Sequence, residues 1–292
     1  MYDALCYGAI SLDISGRTEP PSRGAQASAT DYRLSPGGDA TLVALTLAGL
    51  GRRVALSGGP IGDDPMGEYL REILRQFGID LYVDNSGNTS ISAVIVGRHG
   101  DRTSITFHED TPLEQIQAPT GLIADSRYLY ACGCYGRNAR IMGEQAKTAG
   151  VPSLLNVNGE EMTITCPFDC AIIGEDYARA RELSPEMAVL GLRDAGASIS
   201  IATLGERGLL CSSSEETISM QAHRIKAIDC TGAGAAFAAG YIHASLNGLS
   251  LPERLRTASA AGALKCMVRG SYRRITPGEL EGFMTSKTVD TI

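Results

Sequence analysis

The segment of this chain best suited to chemistry is Asp229-Cys230-Thr231-Gly232-Ala233-Gly234-Ala235. Its small residues open an apolar stretch over 234–246 that reads as a helix. The first N–H groups of a helix have no intrahelical acceptor, and the helix dipole adds positive character there. Amides of Gly232, Ala233 and Gly234 at such an end would bind an anion. The same residues also suit a tight loop packed on a helix, and glycine content alone does not separate the two. Gly37-Gly38 precedes Asp39 and a second apolar helix, and it permits close backbone approach as a ligand floor or as helix–strand packing. Thr203-Leu204-Gly205-Glu206-Arg207-Gly208 reads as a strand end with a turn. Asp13 is a carboxylate delivered just past a short buried strand.

These residues need a scaffold, and the hydrophobic pattern supplies one. Apolar runs at 4–10, 54–58, 79–83, 128–132, 153–157, 170–173 and 198–203 read as buried strands. Between and after them, helical stretches fall at 40–50, 64–76, 138–147, 186–194, 234–246, 251–267 and 277–283. Asp64-Pro65 starts one of these and Gly51 stops another. Strands alternating with helices predict a mostly parallel sheet covered on both faces, in a single α/β unit spanning 1–292. Two polar β-rich excursions, near 13–36 and 88–108, interrupt the alternation. The second holds a hairpin around Gly97-Arg98-His99-Gly100-Asp101. They predict a small lid sheet at the mouth of the site.

Bulk properties narrow the partners. The 292 residues carry a formal charge of −7, which argues against nucleic acid or an anionic membrane as partner. With 43% hydrophobic and 20% charged residues, the composition is that of an ordinary globular chain. No basic leader opens it and no apolar run reaches the ~18 residues of a membrane span, so a cytoplasmic location is expected. The eight cysteines make no Cys-x-x-Cys pair and have no histidine at zinc spacing, so they read as reduced, small apolar residues.

In order and spacing, the chain resembles the PfkB/ribokinase family of carbohydrate kinases over nearly its whole length. Gly37-Gly38 with Ala48-Gly49-Leu50-Gly51 is similar to the family's N-terminal signature, and Gly62-Asp63-Asp64-Pro65-Met66-Gly67 to its Gly-Asp-Asp-x-x-Gly turn. Thr203-Leu204-Gly205 resembles its nucleotide-side strand end, and residues 229–234 its C-terminal signature. The resemblance implies a ribokinase-like three-layer αβα sandwich with a small β lid, and ATP-dependent phosphorylation of a hydroxyl on a sugar or polyol. It places Asp13, Gly37, Gly38, Asp39, Leu42, His108 and Cys134 at the acceptor. Thr203, Gly205, Gly208, Thr231, Gly232 and Gly234 fall at the nucleotide. The turn at 232–234 would take charge developing on the transferred phosphoryl group. Mg2+ would arrive on the phosphates of ATP, with Glu175 and Asp176 reaching it through water, and K+ would sit near Asp229. Lid sheets of relatives pair, which implies a homodimer.

Three positions break the pattern. The family's catalytic aspartate, which takes the proton of the attacking hydroxyl, is replaced by Ala235. A methyl group accepts no proton, and losing a general base costs ~10²–10⁴-fold in rate. The family's Asn-x-x-Glu is Gly174-Glu175-Asp176-Tyr177, and a frequent sugar-binding Asn is Leu42. Ala235 is compatible with an inactivated, substrate-trapping kinase or with a natural pseudokinase that binds metabolites. A nucleoside acceptor on the same fold is a further reading. His99, His108, His223 and His243 are expected to pack or face solvent, with His99 and His108 the two that could touch substrate from the lid.

Overall fold

A computed structural model describes residues 1–97, 102–107, 119–158 and 165–286. The central layer is a nine-stranded sheet in the order β13-β12-β11-β10-β9-β8-β1-β4-β5. Its parallel part comprises β1 (Ala4–Gly8), β4 (Val54–Gly58), β5 (Asp80–Tyr82), β8 (Leu129–Cys132), β9 (Ser153–Val157), β10 (Cys170–Gly174) and β11 (Ile199–Thr203). The continuous apolar runs are explained by burial on both faces. Side-chain alternation sorts them. Ala4, Cys6, Leu56, Tyr130 and Leu154 enter one core, beneath α1 (Asp39–Gly49), α6 (Ala233–Leu246) and α7 (Leu251–Cys266). Leu5, Tyr7, Ala55, Leu129 and Leu155 enter the other, beneath α3 (Gly136–Ala149) and α5 (Pro185–Asp194). Both α1 and α6 are apolar almost all round, as buried helices are. The remaining long helices are α2 (Pro65–Gln76) and α8 (Pro277–Thr285).

Asp64 caps α2, its Oδ1 accepting from the amides of Met66 and Gly67 at 2.9 Å, while its Oδ2 accepts from Thr89 N at 2.8 Å. The Gly-Asp-Asp turn therefore ties a helix start to the chain entering the second sheet.

Three features differ from the expectation. The strand expected over 4–10 stops at Gly8, and Asp13 lies inside the next strand, in a different sheet. An antiparallel hairpin, β12 (Leu209–Ser213) and β13 (Thr217–Met220), extends the sheet edge where no strand was expected. Its polar, serine- and glutamate-rich sequence carries little periodic signal. A short helix, α4 (Glu175–Ala180), follows β10 where no helix was expected.

The second sheet has four strands in the order β3-β2-β6-β7: β2 (Ser11–Arg17), β3 (Thr30–Gly37), β6 (Ile91–Val96) and β7 (Arg102–Phe107). One face carries Asp13, Ser15, Ser35, Val94 and Val96 toward the main body. The other carries Ile14, Leu34, Ile105 and Phe107, all exposed. The sheet is tied down by Ser35 Oγ, 3.0 Å from Ser271 Oγ, and by the Arg269–Asp31 ion pair. The hairpin turn with His99, and His108 itself, lie outside the described residues. Among the described residues, no helix is long and apolar enough to cross a membrane.

Candidate active site

One polar cleft is built where β1 hands over to β2 and β3 hands over to α1. Asp13 is buried and lies over Gly37, where a Cβ would stand only 1.8 Å from its Oδ1. Ser11 Oγ donates to that oxygen at 3.3 Å. Burial pushes the Asp13 carboxyl up to about 6; Ser11, Ser92 and Ser271 pull it down, and the charge of Asp39 pushes it further up. Asp39 Oδ2 accepts from Asn156 Nδ2 at 2.9 Å and Asn158 Nδ2 at 3.2 Å. Burial raises the Asp39 carboxyl as well, against the pull of Asn156 and Cys132. Cys132 Sγ lies 3.8 Å from Asp39 Oδ2 and 2.9 Å from Cys134 Sγ. Thus Asp13, Gly37, Gly38, Asp39 and Cys134 converge. Ser92, Asn156, Asn158 and Ser271 join them without having been singled out. Polar Asn156-Val157-Asn158 at the C-terminal end of a buried strand was the available signal.

Leu42 is buried, and its Cδ1 lies 3.3 Å from the Cβ position of Gly232. It is an apolar contact beside the turn before α6.

Gly232 caps α6 with φ 78°, and a Cβ there would lie 2.0 Å from Ser271 O, so no other residue fits without moving that backbone. Of the amides expected to be open at this turn, that of Ala233 is not. The Ala233 amide donates to Cys230 O at 3.1 Å and is consumed by the turn itself. The first closing bond of the helix is Ala236 N to Gly232 O at 3.0 Å. Among the described residues, the amides of Gly232, Gly234 and Ala235 have no backbone or side-chain acceptor. Ala235 therefore offers an N–H, while its side chain, 7% exposed, belongs to the apolar core.

Asp229 braces this turn. Its Oδ1 accepts the Thr231 amide at 2.9 Å and the Thr231 hydroxyl at 2.6 Å, and its Oδ2 accepts Gly270 N at 2.9 Å. Burial pushes its carboxyl up, but these donors and Lys265 outweigh burial and hold it below the ordinary aspartate value.

Beyond the turn lies a cavity of about 640 Å³ bordered by Thr203, Gly205, Gly208, His223, Ala233 and Gly234. His223, expected to pack or face solvent, stacks edge-on against Phe283 at 5.1 Å and also lines this cavity. Ser259, Gly262 and Cys266 of α7 reach it too, and a small-residue helix face gave no sequence signal for that. Thr231 faces elsewhere, into a narrow cleft shared with Asp13, Ser15, Asp229 and Ser271. Glu175 stays at the cavity rim, paired with Arg207 at 2.9 Å and with its Oε2 3.9 Å from the Cβ position of Gly205. Asp176 does not converge: it pairs with Arg179 and its side chain is 89% exposed. His243 is away from both clefts, accepting from Arg52 Nε at 3.2 Å, and burial lowers it to about 4.

The family described as pfkB family carbohydrate kinase matches residues 1–277. The chain belongs to that family. Among relatives of this pfkB chain, probable fructokinase-6, chloroplastic, of Arabidopsis thaliana is 27% identical over 91% of this chain and 78% of that protein. A nucleoside kinase of Methanothermobacter thermautotrophicus is also 27% identical, over 94% of this chain and 92% of its own. Among solved structures, ribokinase from Thermotoga maritima superposes with a TM-score of 0.83 at 20% identity, covering 98% of this chain and 100% of that one. Arabidopsis thaliana ribokinase complexed with ribose and ATP superposes with a TM-score of 0.80 at 21% identity, covering 98% and 99%. The fold is ribokinase-like.

Proposed function

We propose that this pfkB chain binds ATP in the 640 Å³ cavity and a sugar or sugar-like alcohol over Asp13 and Gly37, and transfers the terminal phosphoryl group between them. The observation that carries this reading is the set of open amides at Gly232, Gly234 and Ala235, with the cavity on one side and the Asp13 cleft on the other. An acceptor hydroxyl would attack the terminal phosphorus as the bond to the ADP oxygen breaks. The amides would face the equatorial oxygens that carry the developing charge. Mg2+ would supply charge neutralisation on the phosphates when bound, and Glu175, paired with Arg207 beside Gly205, would reach its water shell. Asp13 and Asp39 would receive the acceptor's hydroxyl protons as hydrogen bonds.

The side chain at 235 removes no proton, so turnover is slow, by ~10²–10⁴-fold against a chain with a carboxylate there. The test is Ala235→Asp, assayed for ADP release across ketoses, aldoses and nucleosides with ATP and Mg2+. Turnover rising by ~100-fold or more on one acceptor supports the reading. A variant that binds ATP and an acceptor tightly yet stays inert favours the second reading, a metabolite-binding pseudokinase, which rests on the apolar Ala235 and on the outward-facing Asp176. Leu42 beside Gly232 favours a flatter, less hydroxylated acceptor, so nucleosides belong in the panel.

The exposed apolar face of the four-stranded sheet supports a further element of the proposal, a homodimer. Ile105 and Phe107 are 57% and 59% exposed on an outer strand, where sheet edges and apolar patches favour a second copy.

A further inference from the structure

We propose that Lys265 supplies, from within the chain, the fixed positive charge that sets the anion turn, so that the turn takes no bound potassium ion. The inference rests on the assignment of the turn at 232–234 to the nucleotide phosphates. It departs from the expectation that K+ sits near Asp229.

A monovalent cation needs a cage of oxygens with lone pairs to spare, mostly carbonyls and carboxylates. The oxygens of Asp229 already accept most of the donors they can take. Its Oδ1 accepts two hydrogen bonds from Thr231, and its Oδ2 accepts the Gly270 amide. Its main-chain carbonyl oxygen accepts from Lys265 Nζ at 2.7 Å, and the same ammonium reaches Val268 O at 3.5 Å. Lys265 is 1% exposed, in the last turn of α7. An ammonium ion taken out of water is strongly disfavoured unless oxygens replace its hydration shell. Here the replacing oxygens are the carbonyls that the loop offers beside the turn. Ammonium and K+ have similar radii and charge, so one occupant excludes the other.

Placement gives the charge its effect. Cys266 O accepts the amides of Ile228 at 2.8 Å and Asp229 at 3.2 Å, so the end of α7 grips residue 229 from below. Lys265 grips its carbonyl, and Asp229 in turn fixes Thr231 and, through Gly270, the loop whose Ser271 O lies against Gly232. Removing the ammonium would free the Asp229 carbonyl and loosen the peptide units that hold the three open amides in register. Lys265 is a positioning residue that touches no substrate.

The test compares chloride salts of choline, Li+, K+ and NH4+ at one ionic strength, with thermal unfolding as the first readout and binding of a non-hydrolysable ATP analogue as the second. For the wild-type chain, melting temperature and nucleotide affinity are expected to be the same in choline, K+ and NH4+. For Lys265→Met, close in volume, affinity is expected to fall about tenfold or more and to recover selectively in K+ and NH4+, not in Li+. A wild-type chain stabilised by several degrees in K+ over choline overturns the proposal, and that arm needs no variant to fold. So does a Lys265→Met chain that binds nucleotide as tightly as wild type, or one whose loss no cation repairs. A nucleotide that binds neither chain in any salt counts against the kinase reading, while the melting temperatures still decide whether K+ has a site.

Discussion

The Asp13 carboxylate lies directly over the bare Cα of Gly37, so close that a Cβ on residue 37 would meet Oδ1 at 1.8 Å. The packing joins β2 to the end of β3 and fixes where the acid can point. Gly37→Ala is therefore expected to turn Asp13 out of the cleft. Overpacking of this kind costs ~1–3 kcal/mol. The expected outcome is a lower melting temperature and loss of acceptor binding by calorimetry, with ATP-analogue affinity unchanged.

Asp13 also makes stability depend on pH. Its carboxyl is raised from 3.8 to about 6, with burial the first cause. The folded chain then holds more protons than the unfolded chain between those values, so this contribution to stability falls as pH rises from about 4 to about 6 and stays low above. The shift corresponds to at most ~3 kcal/mol. Asp13→Asn is expected to be more stable than wild type at pH 8, with the gap narrowing at pH 4, in urea titrations at the two pH values. Acceptor binding by the wild type, which uses the ionised carboxylate, is expected to weaken as pH drops below about 6.

Gly232 tests the anion turn. At φ 78°, with Ser271 O 2.0 Å from the Cβ position, Gly232→Ala forces the helix start away from the 270–271 loop. Nucleotide affinity is expected to fall at least tenfold by fluorescence titration, with sugar affinity less affected. Equal nucleotide affinity in the variant would remove the turn from the phosphate site.

The exposed strand β7 tests assembly. Ile105→Lys places a charge on the outer strand of the apolar face without touching Asp13 or the cavity. Sedimentation is expected to give a dimer for the wild type and a monomer for the variant, and a wild type that is monomeric at high concentration removes the homodimer from the proposal.

The sequence by itself determined the layered α/β architecture, because runs of apolar residues buried on both faces have no other partner than covering helices. It also marked Asp13, Gly37-Gly38 and the turn before α6, since close backbone approach restricts the residue types that serve there. It left β12 and β13 unseen, because the Ser and Glu residues of the hairpin interrupt the short apolar stretch Leu209-Leu210-Cys211 that packs into the cores. Only the tertiary structure decided which amides stay open. Ala233 spends its N–H on Cys230 O, a matter of turn geometry that no residue type announces. Only the tertiary structure brought Asn156 and Asn158 to Asp39. It also placed the ammonium of Lys265 on a carbonyl 36 residues away in sequence. The pairings of Asn156 and Asn158 with Asp39 and of Lys265 with Asp229 join residues from separate elements, and their distances are set by how helices pack on the sheet, which local pattern does not encode.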